Sequence, residues 1–240
     1  MNKYHKLPRL FLDLSLEIGV EIDIDAYQNH YISNVLRLKP TQCLKTFNGS
    51  DGEFLAEISA QSKKATSIKI TKSIRPQKNE LGPTIAFSLI KKQRQDFLIE
   101  KCTELGVRNF QPILTDHCEV RKINQEKVKI QSIEASEQCE RLTVPIIHNL
   151  LKLDSFLETQ INPIYYCIER EDAPFIHQIL DKTRGSDTFL IDPEGGFSEK
   201  EKALLEKKQN AVGLNLGFNI LRAETAAITC AAAWLFKSQT

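Results

Sequence analysis

The sequence lacks most of the short patterns that announce a ligand class. Its ten glycines never form G-x-G-x-x-G or G-x-x-x-x-G-K-S/T, so a nucleotide or methyl-donor site built on the usual first-turn glycines is not expected. Its six cysteines, Cys43, Cys102, Cys118, Cys139, Cys167 and Cys230, form no C-x-x-C pair and sit mostly in apolar periodic segments. They read as buried thiols of a reducing compartment, and a cytoplasmic location is expected. His117 stands beside Cys118, but no second pair follows at helical or hairpin spacing, so the expectation is a structural role and no metal. No stretch approaches the roughly 18 apolar residues of a membrane-spanning helix. The opening "MNKYHKLPRLFLDLSLEIG" has no unbroken apolar core of the signal-peptide kind, and no membrane association is expected. Strong charge is missing as well: 32 Lys and Arg stand against 31 Asp and Glu, a net of +1. The balance shifts mildly along the chain, from +3 over residues 1–80 (12 basic, 9 acidic) to −2 over residues 81–240 (20 basic, 22 acidic). A solvated surface accounts for that as readily as an RNA-binding one.

What is present divides into two grammars. From residue 42 to 72 the chain reads "QCLKTFNGSDGEFLAEISAQSKKATSIKITK", three short alternating runs broken by tight-turn residues, which predicts a β-meander. Before it, Tyr27, Tyr31, Val35 and Leu38 recur at helical spacing ahead of Pro40, predicting a short amphipathic helix with those four on its apolar face. Residues 1–72 therefore read as a small β-rich barrel, and the polar, proline-bracketed stretch 73–82 as a linker. Residues 83–240 alternate strand and helix patterns. "TIAFSLI" is followed by "QDFLIEKCTELG", with Leu98, Cys102 and Leu105 on one helical face and Gly106 as the expected C-cap. The same alternation continues to "ETAAITCAAAWLFK". That succession predicts an α/β domain with a mostly parallel sheet, whose ligands bind beyond the carboxyl ends of the strands.

Two glycine-bearing turns fall at such ends. In "IDPEGGFSEKE", residues 191–201, paired glycines precede a helix, a pattern that often cradles phosphate. Here Asp192 and Glu194 would repel an anion, and Ser198 with Glu201 forms a capping box that uses the donors a phosphate needs. A neutral or partly cationic ligand is expected, or a tight crossover with no ligand. In "LNLGFNILRAETAA", residues 214–227, an irregular apolar stretch separates Gly217 from Arg222 and Glu224. Such a loop is apolar enough to sandwich a flat heteroaromatic ring; Arg222 and Glu224 read equally as a helix-start ion pair.

Taken in order, about 25 residues apart, "FLIDPEGGFSEKE" and "LNLGFNILRAETAA" resemble the signature of the RsmE family, the 16S rRNA (uracil-N3) methyltransferases of the SPOUT superfamily. "HYISNVLRLKPTQ", "FNGSDGEFLAEI", "KKQRQDFLIEKCTELGV" and "EASEQCERLTVP" are similar to that family's segments along the rest of the chain. The resemblance implies a PUA-like N-terminal barrel that binds RNA and a C-terminal trefoil-knotted SPOUT domain. It also implies S-adenosylmethionine (SAM) held at the knot, 16S rRNA of the small ribosomal subunit as partner, and a homodimer. The positions that match are Pro193, Glu194, Gly195 and Gly196, then Leu216, Gly217, Ile220, Leu221, Arg222, Glu224, Thr225 and Ala226, with the strand-end residues Ile191 and Leu214 completing the expected SAM site. Asp192, Phe218, Asn219 and Ala223 depart from the usual residues. SAM carries a sulfonium and an ammonium but no phosphate, which agrees with an acidic, self-capped turn.

Uracil N3 is protonated at neutral pH, so its methylation calls for proton removal and stabilisation of the developing anion. Arg222 is expected to stabilise that charge or orient the base, with Glu224 or Glu194 as acceptor. Lys3, Arg9, Arg37, Lys39, Lys63 and Lys64 are the expected RNA phosphate contacts. Two rival readings stay open: a SPOUT methyltransferase acting on another rRNA or tRNA nucleotide, and a non-enzymatic RNA-binding protein whose pocket is lost through Asp192, Asn219 and Ala223.

Overall fold

The computed structural model describes residues 4–62, 65–78, 80–168, 173–179 and 187–238. The chain divides into two compact units, Met1–Asn79 with Ser136–Thr143, and Glu80–Ala135 with Val144–Thr240.

In the first unit the strands are β1 (Arg9–Phe11), β2 (Glu21–Asp23), β3 (Cys43–Phe47), β4 (Glu53–Gln61) and β5 (Thr66–Arg75). They form one sheet in the order β1-β3-β4-β5-β2, antiparallel except where β1 lies parallel to β3. The meander β3–β4–β5 is as expected. Its first turn is set locally, since Asn48 Oδ1 accepts the backbone N–H groups of Ser50 at 2.9 Å and Asp51 at 2.8 Å. Leu10, Leu44, Ile58, Ile68 and Ile70 fill the core.

The expected amphipathic helix takes a different form. Helix α1 covers only Ala26–His30, capped by Asp25, and a π-helical turn Tyr31–Val35 follows. A π-turn adds a residue to the turn and rotates the face. Tyr27 and Val35 are consequently 63 % and 59 % exposed, while Ile32 is buried; of the expected face only Tyr31 and Leu38 pack on the core.

The unit boundaries also depart from those read in the sequence. Strand β5 runs to Arg75, into the expected linker, and Ser136–Thr143 joins the first unit. Buried Arg9 explains that membership. It pairs with Glu53 at 2.7 Å and donates to the carbonyls of Ser136 at 2.7 Å and Arg141 at 2.9 Å. Lys45 pairs with Glu140, and Arg75 donates to the Glu140 carbonyl at 2.6 Å. These partners lie far apart in sequence, beyond the reach of any local pattern.

The second unit alternates strands and helices: β6 (Thr84–Ser88), α2 (Lys92–Glu104), β7 (Asn109–Leu114), α3 (Gln125–Gln138), β8 (Ile146–Ile147), β9 (Leu151–Lys152), α4 (Leu153–Thr159), β10 (Ile164–Cys167), α5 (Ile176–Ile179), β11 (Thr188–Ile191), α6 (Glu199–Lys207), β12 (Ala211–Leu214) and α7 (Ala223–Ser238). The sheet order is β12-β10-β11-β6-β7-β8, with β9 beside β7, and every pairing is parallel. All four residues of β10 and of β11 are buried, which is why these strands read as unbroken apolar runs. Leu98 and Cys102 of α2 are fully buried and Leu105 packs beside them; Gly106, with φ +87°, ends the helix. From β6 the chain moves outward through β7 to β8, then returns to place β11 on the other side of β6. That reversal makes the carboxyl ends of the central strands a natural crevice.

Candidate functional site

A cavity of about 430 Å³ opens there, lined by Cys167, Ile168, Asp192, Asn215, Leu216, Gly217, Phe218, Asn219, Ile220, Leu221 and Ala226. Two turns build it. After β11 the chain makes a β-turn in which the Gly196 N–H donates to the Pro193 carbonyl at 2.9 Å. Gly196 sits at φ +71°, a left-handed conformation that side chains disfavour. His117 braces the turn, its Nδ1 lying 3.0 Å from the Gly195 carbonyl oxygen and 3.1 Å from that of Gly196. Two carbonyl acceptors assign the proton to Nδ1. A Cβ at Gly195 would stand 3.0 Å from the His117 Cβ, so the approach depends on glycine. His117 thus has the structural role expected of it, with a partner that adjacency to Cys118 did not indicate.

The expected capping box is present: the Glu201 amide donates to Ser198 Oγ at 3.3 Å, and the Ser198 amide to Glu201 Oε2 at 2.9 Å. Glu201 also accepts the Asp116 amide at 2.9 Å, and the Ser198 hydroxyl donates to Asp116 at 2.7 Å. The Ser198 and Glu201 amides at the start of α6 are therefore engaged by side chains of the same turn, which leaves fewer donors for an anion.

The second turn begins at Asn215, whose Oδ1 accepts the Gly217 N–H at 2.9 Å. Asn215 is held on both backbone sides, donating to the Pro174 carbonyl at 3.0 Å and accepting from Ile176 at 3.1 Å. Gly217 has φ +135°. The following loop turns Leu216 and Leu221 toward the core and leaves Phe218 99 % exposed at the cavity lip, where its ring packs obliquely on Phe175, 5.9 Å between centroids.

The charges are asymmetric. Asp192 brings a carboxylate to the cavity wall, with Oδ2 against the Gly196 turn. Beside it, the Cys167 thiol hydrogen-bonds the Cys230 thiol at 3.8 Å. That bond, then burial, then the Asp192 charge push the Cys167 pKa well above the ordinary thiol value, so Cys167 is a neutral, unreactive wall. Arg222 does not pair with Glu224. Its guanidinium makes no hydrogen bond or ion pair among the described residues, and the residue is exposed. Glu224 faces Arg94 of α2, Oε1 to Nε at 4.0 Å, and the same guanidinium donates to Glu194 at 3.1 Å.

Of the expected SAM residues, Leu216, Gly217, Ile220, Leu221 and Ala226 line the cavity. Pro193, Glu194, Gly195 and Gly196 form the adjacent turn, and Arg222, Glu224 and Thr225 the start of α7. Ile191 and Leu214 are corrected to core positions: both are fully buried, with no surface to offer a ligand. Sequence reading missed Cys167, Ile168 and Asn215 as lining residues, because a strand terminus carries no mark of which neighbour it meets. It also missed Arg94, which sits inside a quoted segment but gave no local reason to be chosen. Of the expected RNA contacts, Arg9 is corrected: at 5 % exposure it is sealed in an ion-pair network. Arg37 and Lys39 are exposed, and Arg37 holds a left-handed backbone at φ +55°. Lys3, Lys63 and Lys64 lie outside the described residues.

A parallel α/β sheet carrying this glycine-turn cavity has the features of an RNA methyltransferase domain, and residues 77–235 match the family model of that description. The chain is 36 % identical to ribosomal RNA small subunit methyltransferase E of Rickettsia conorii, over 95 % of this chain and 94 % of the relative, and 28 % identical to the protein of the same name from Buchnera aphidicola, over 97 % of each. It belongs to the ribosomal RNA small subunit methyltransferase E family. Among solved structures, a Legionella pneumophila methyltransferase with bound SAM superposes with TM-score 0.87 at 26 % identity, covering 95 % of this chain and 97 % of that one. The Neisseria gonorrhoeae ribosomal RNA small subunit methyltransferase E bound to S-adenosyl methionine superposes with TM-score 0.84 at 27 % identity, covering 95 % and 96 %. Among the described residues no helix is long and apolar enough to cross a membrane.

Proposed function

We propose that this chain transfers the methyl group of SAM to N3 of a uridine in 16S rRNA. The observation that carries the reading is the cavity itself: its lining combines an apolar loop of Leu216, Ile220 and Leu221 with Asp192, beside a helix start closed by its own capping box. That donor set fits SAM. Leu216, Ile220 and Leu221 would hold the adenine with loop backbone groups reading its edge. Asp192 would balance the sulfonium or ammonium charge; on this reading it serves the site rather than damaging it. SAM supplies an electrophilic methyl group. The protein's part is to hold N3 in line, take its proton onto a carboxylate as the N–C bond forms and the C–S bond breaks, and steady the developing uracil anion with Arg222.

The same reading makes the first unit the PUA-like RNA-binding part, with exposed Arg37 and Lys39 on phosphate, and makes the chain a cytoplasmic homodimer with a knotted SPOUT domain. Nucleoside analysis of small-subunit rRNA from a deletion strain tests the substrate: 3-methyluridine should disappear and return on complementation, and its persistence would refute the assignment. Calorimetric titration with SAM tests the site, since absence of heat at high micromolar protein would favour a degenerate pocket.

A further inference from the structure

Arg94 connects the two turns. It lies on α2, donates through Nη1 to Glu194 Oε1 at 3.1 Å, and holds Nε 4.0 Å from Glu224 Oε1. The two carboxylates differ sharply. Glu224 is 8 % exposed, and its Oε2 is buried without a hydrogen-bond partner, so Arg94 supplies its only countercharge among the described ion pairs. Glu194 follows cavity-lining Asp192 by two residues, and its side chain keeps 24 % of its surface. Its Oε2 makes no hydrogen bond among the described residues. A buried charge with one partner fixes that partner strongly, whereas an exposed carboxylate with one oxygen engaged keeps the other available to a ligand.

We propose that Arg94 is a positioning residue for methyl transfer: Glu224 anchors the guanidinium from the buried side, and the guanidinium orients Glu194 as the carboxylate that accepts the uracil N3 proton. The inference rests on the methyl-transfer reading above and divides its two candidate acceptors. Glu194 touches the substrate, and Glu224 acts through Arg94.

The test is methylation of unmodified small subunits from a deletion strain by purified full-length protein, with S-adenosylhomocysteine affinity and thermal unfolding measured alongside. R94A should lower kcat by roughly 100-fold, the scale of a lost catalytic alignment, with less than about threefold change in KM for the subunit. R94K should recover part of the loss, because a point charge can satisfy one carboxylate. E194Q should be at least as damaging as R94A, and R94A/E194Q no worse than E194Q alone, the non-additivity of residues acting as one unit. K92A, which removes a surface pair with Asp96 on the same helix, serves as the control with unchanged activity. Near wild-type kcat in R94A, a loss confined to KM, or full additivity in the double variant would overturn the inference. If a single variant unfolds, the R94K comparison decides on the same criterion. Failure of the wild-type protein to methylate the subunit would instead refute the underlying function, so the two failures are distinct.

Discussion

Arg9 and Arg94 each bridge the chain to carboxylates, under opposite conditions. Arg9 and Glu53 keep 2 % and 1 % of their side-chain surfaces, and the guanidinium also satisfies three backbone carbonyls and lies 4.1 Å above the Phe47 ring. Arg94 keeps 32 % of its surface and makes one hydrogen bond and one longer ion pair. A saturated arginine in the interior has no donor left for a ligand, and removing it strands its acceptors. An unsaturated one beside a cavity leaves capacity for orientation. The difference teaches that the expected RNA contact Arg9 is architecture, while the proposed function of the second unit draws on charges that are incompletely paired.

Three substitutions would sharpen that contrast. The largest effect is expected for Arg9→Ala, which leaves Glu53 buried beside Arg75 alone; denaturant unfolding should show a loss of about 3–5 kcal/mol. A loss below 1 kcal/mol would remove the distinction from Arg94, whose hydrogen-bonded pair with part-exposed Glu194 is worth at most about 1 kcal/mol. Next is Gly195→Val, where the added side chain meets His117. Overpacking at this turn should cost about 1 kcal/mol and weaken SAM binding at least about tenfold by calorimetry (one decade being about 1.4 kcal/mol). Unchanged affinity would take the turn out of the site. The smallest effect is expected for Glu140→Gln. The Lys45 hydrogen bond holds the Glu140 carboxyl below its ordinary range. A depressed folded-state pKa contributes stability above the unfolded value and loses it as pH falls through the folded value. The wild-type advantage in melting temperature should therefore be small at neutral pH, begin to fall as pH drops past the ordinary carboxylate value of about 4.3, and vanish once pH is below the depressed folded value. An advantage that shows no decline on acidification would show that the pair's charge is not its source.

The strand–helix alternation, the β3–β5 meander, the Ser198–Glu201 capping box and the two glycine turns were legible because each is decided by residues within a few positions of one another. The face of the first helix was misread for the same reason. Its heptad-like spacing was real, but the π-turn at Tyr31–Val35 rotated it, and the side that gains by burial was chosen by the sheet beneath. Ile191 and Leu214 end their strands fully covered by the core, because both faces of a parallel sheet are packed and a strand end read in sequence does not show how deeply it is covered.

By itself the sequence determined the elements, the order in which they occur, and the chemical character of the two turns: acidic, self-capped and apolar, suited to a cation-bearing heteroaromatic ligand. Tertiary structure alone decided which distant groups meet. Arg9 reaches the Ser136 carbonyl across 127 residues, Arg94 reaches Glu194 across 100, and His117 braces Gly195 across 78. The physical reason is the strand order. Parallel pairing sets β11 beside β6 and brings the ends of β10, β11 and β12 to one edge, and that choice depends on burying both faces of the whole sheet at once.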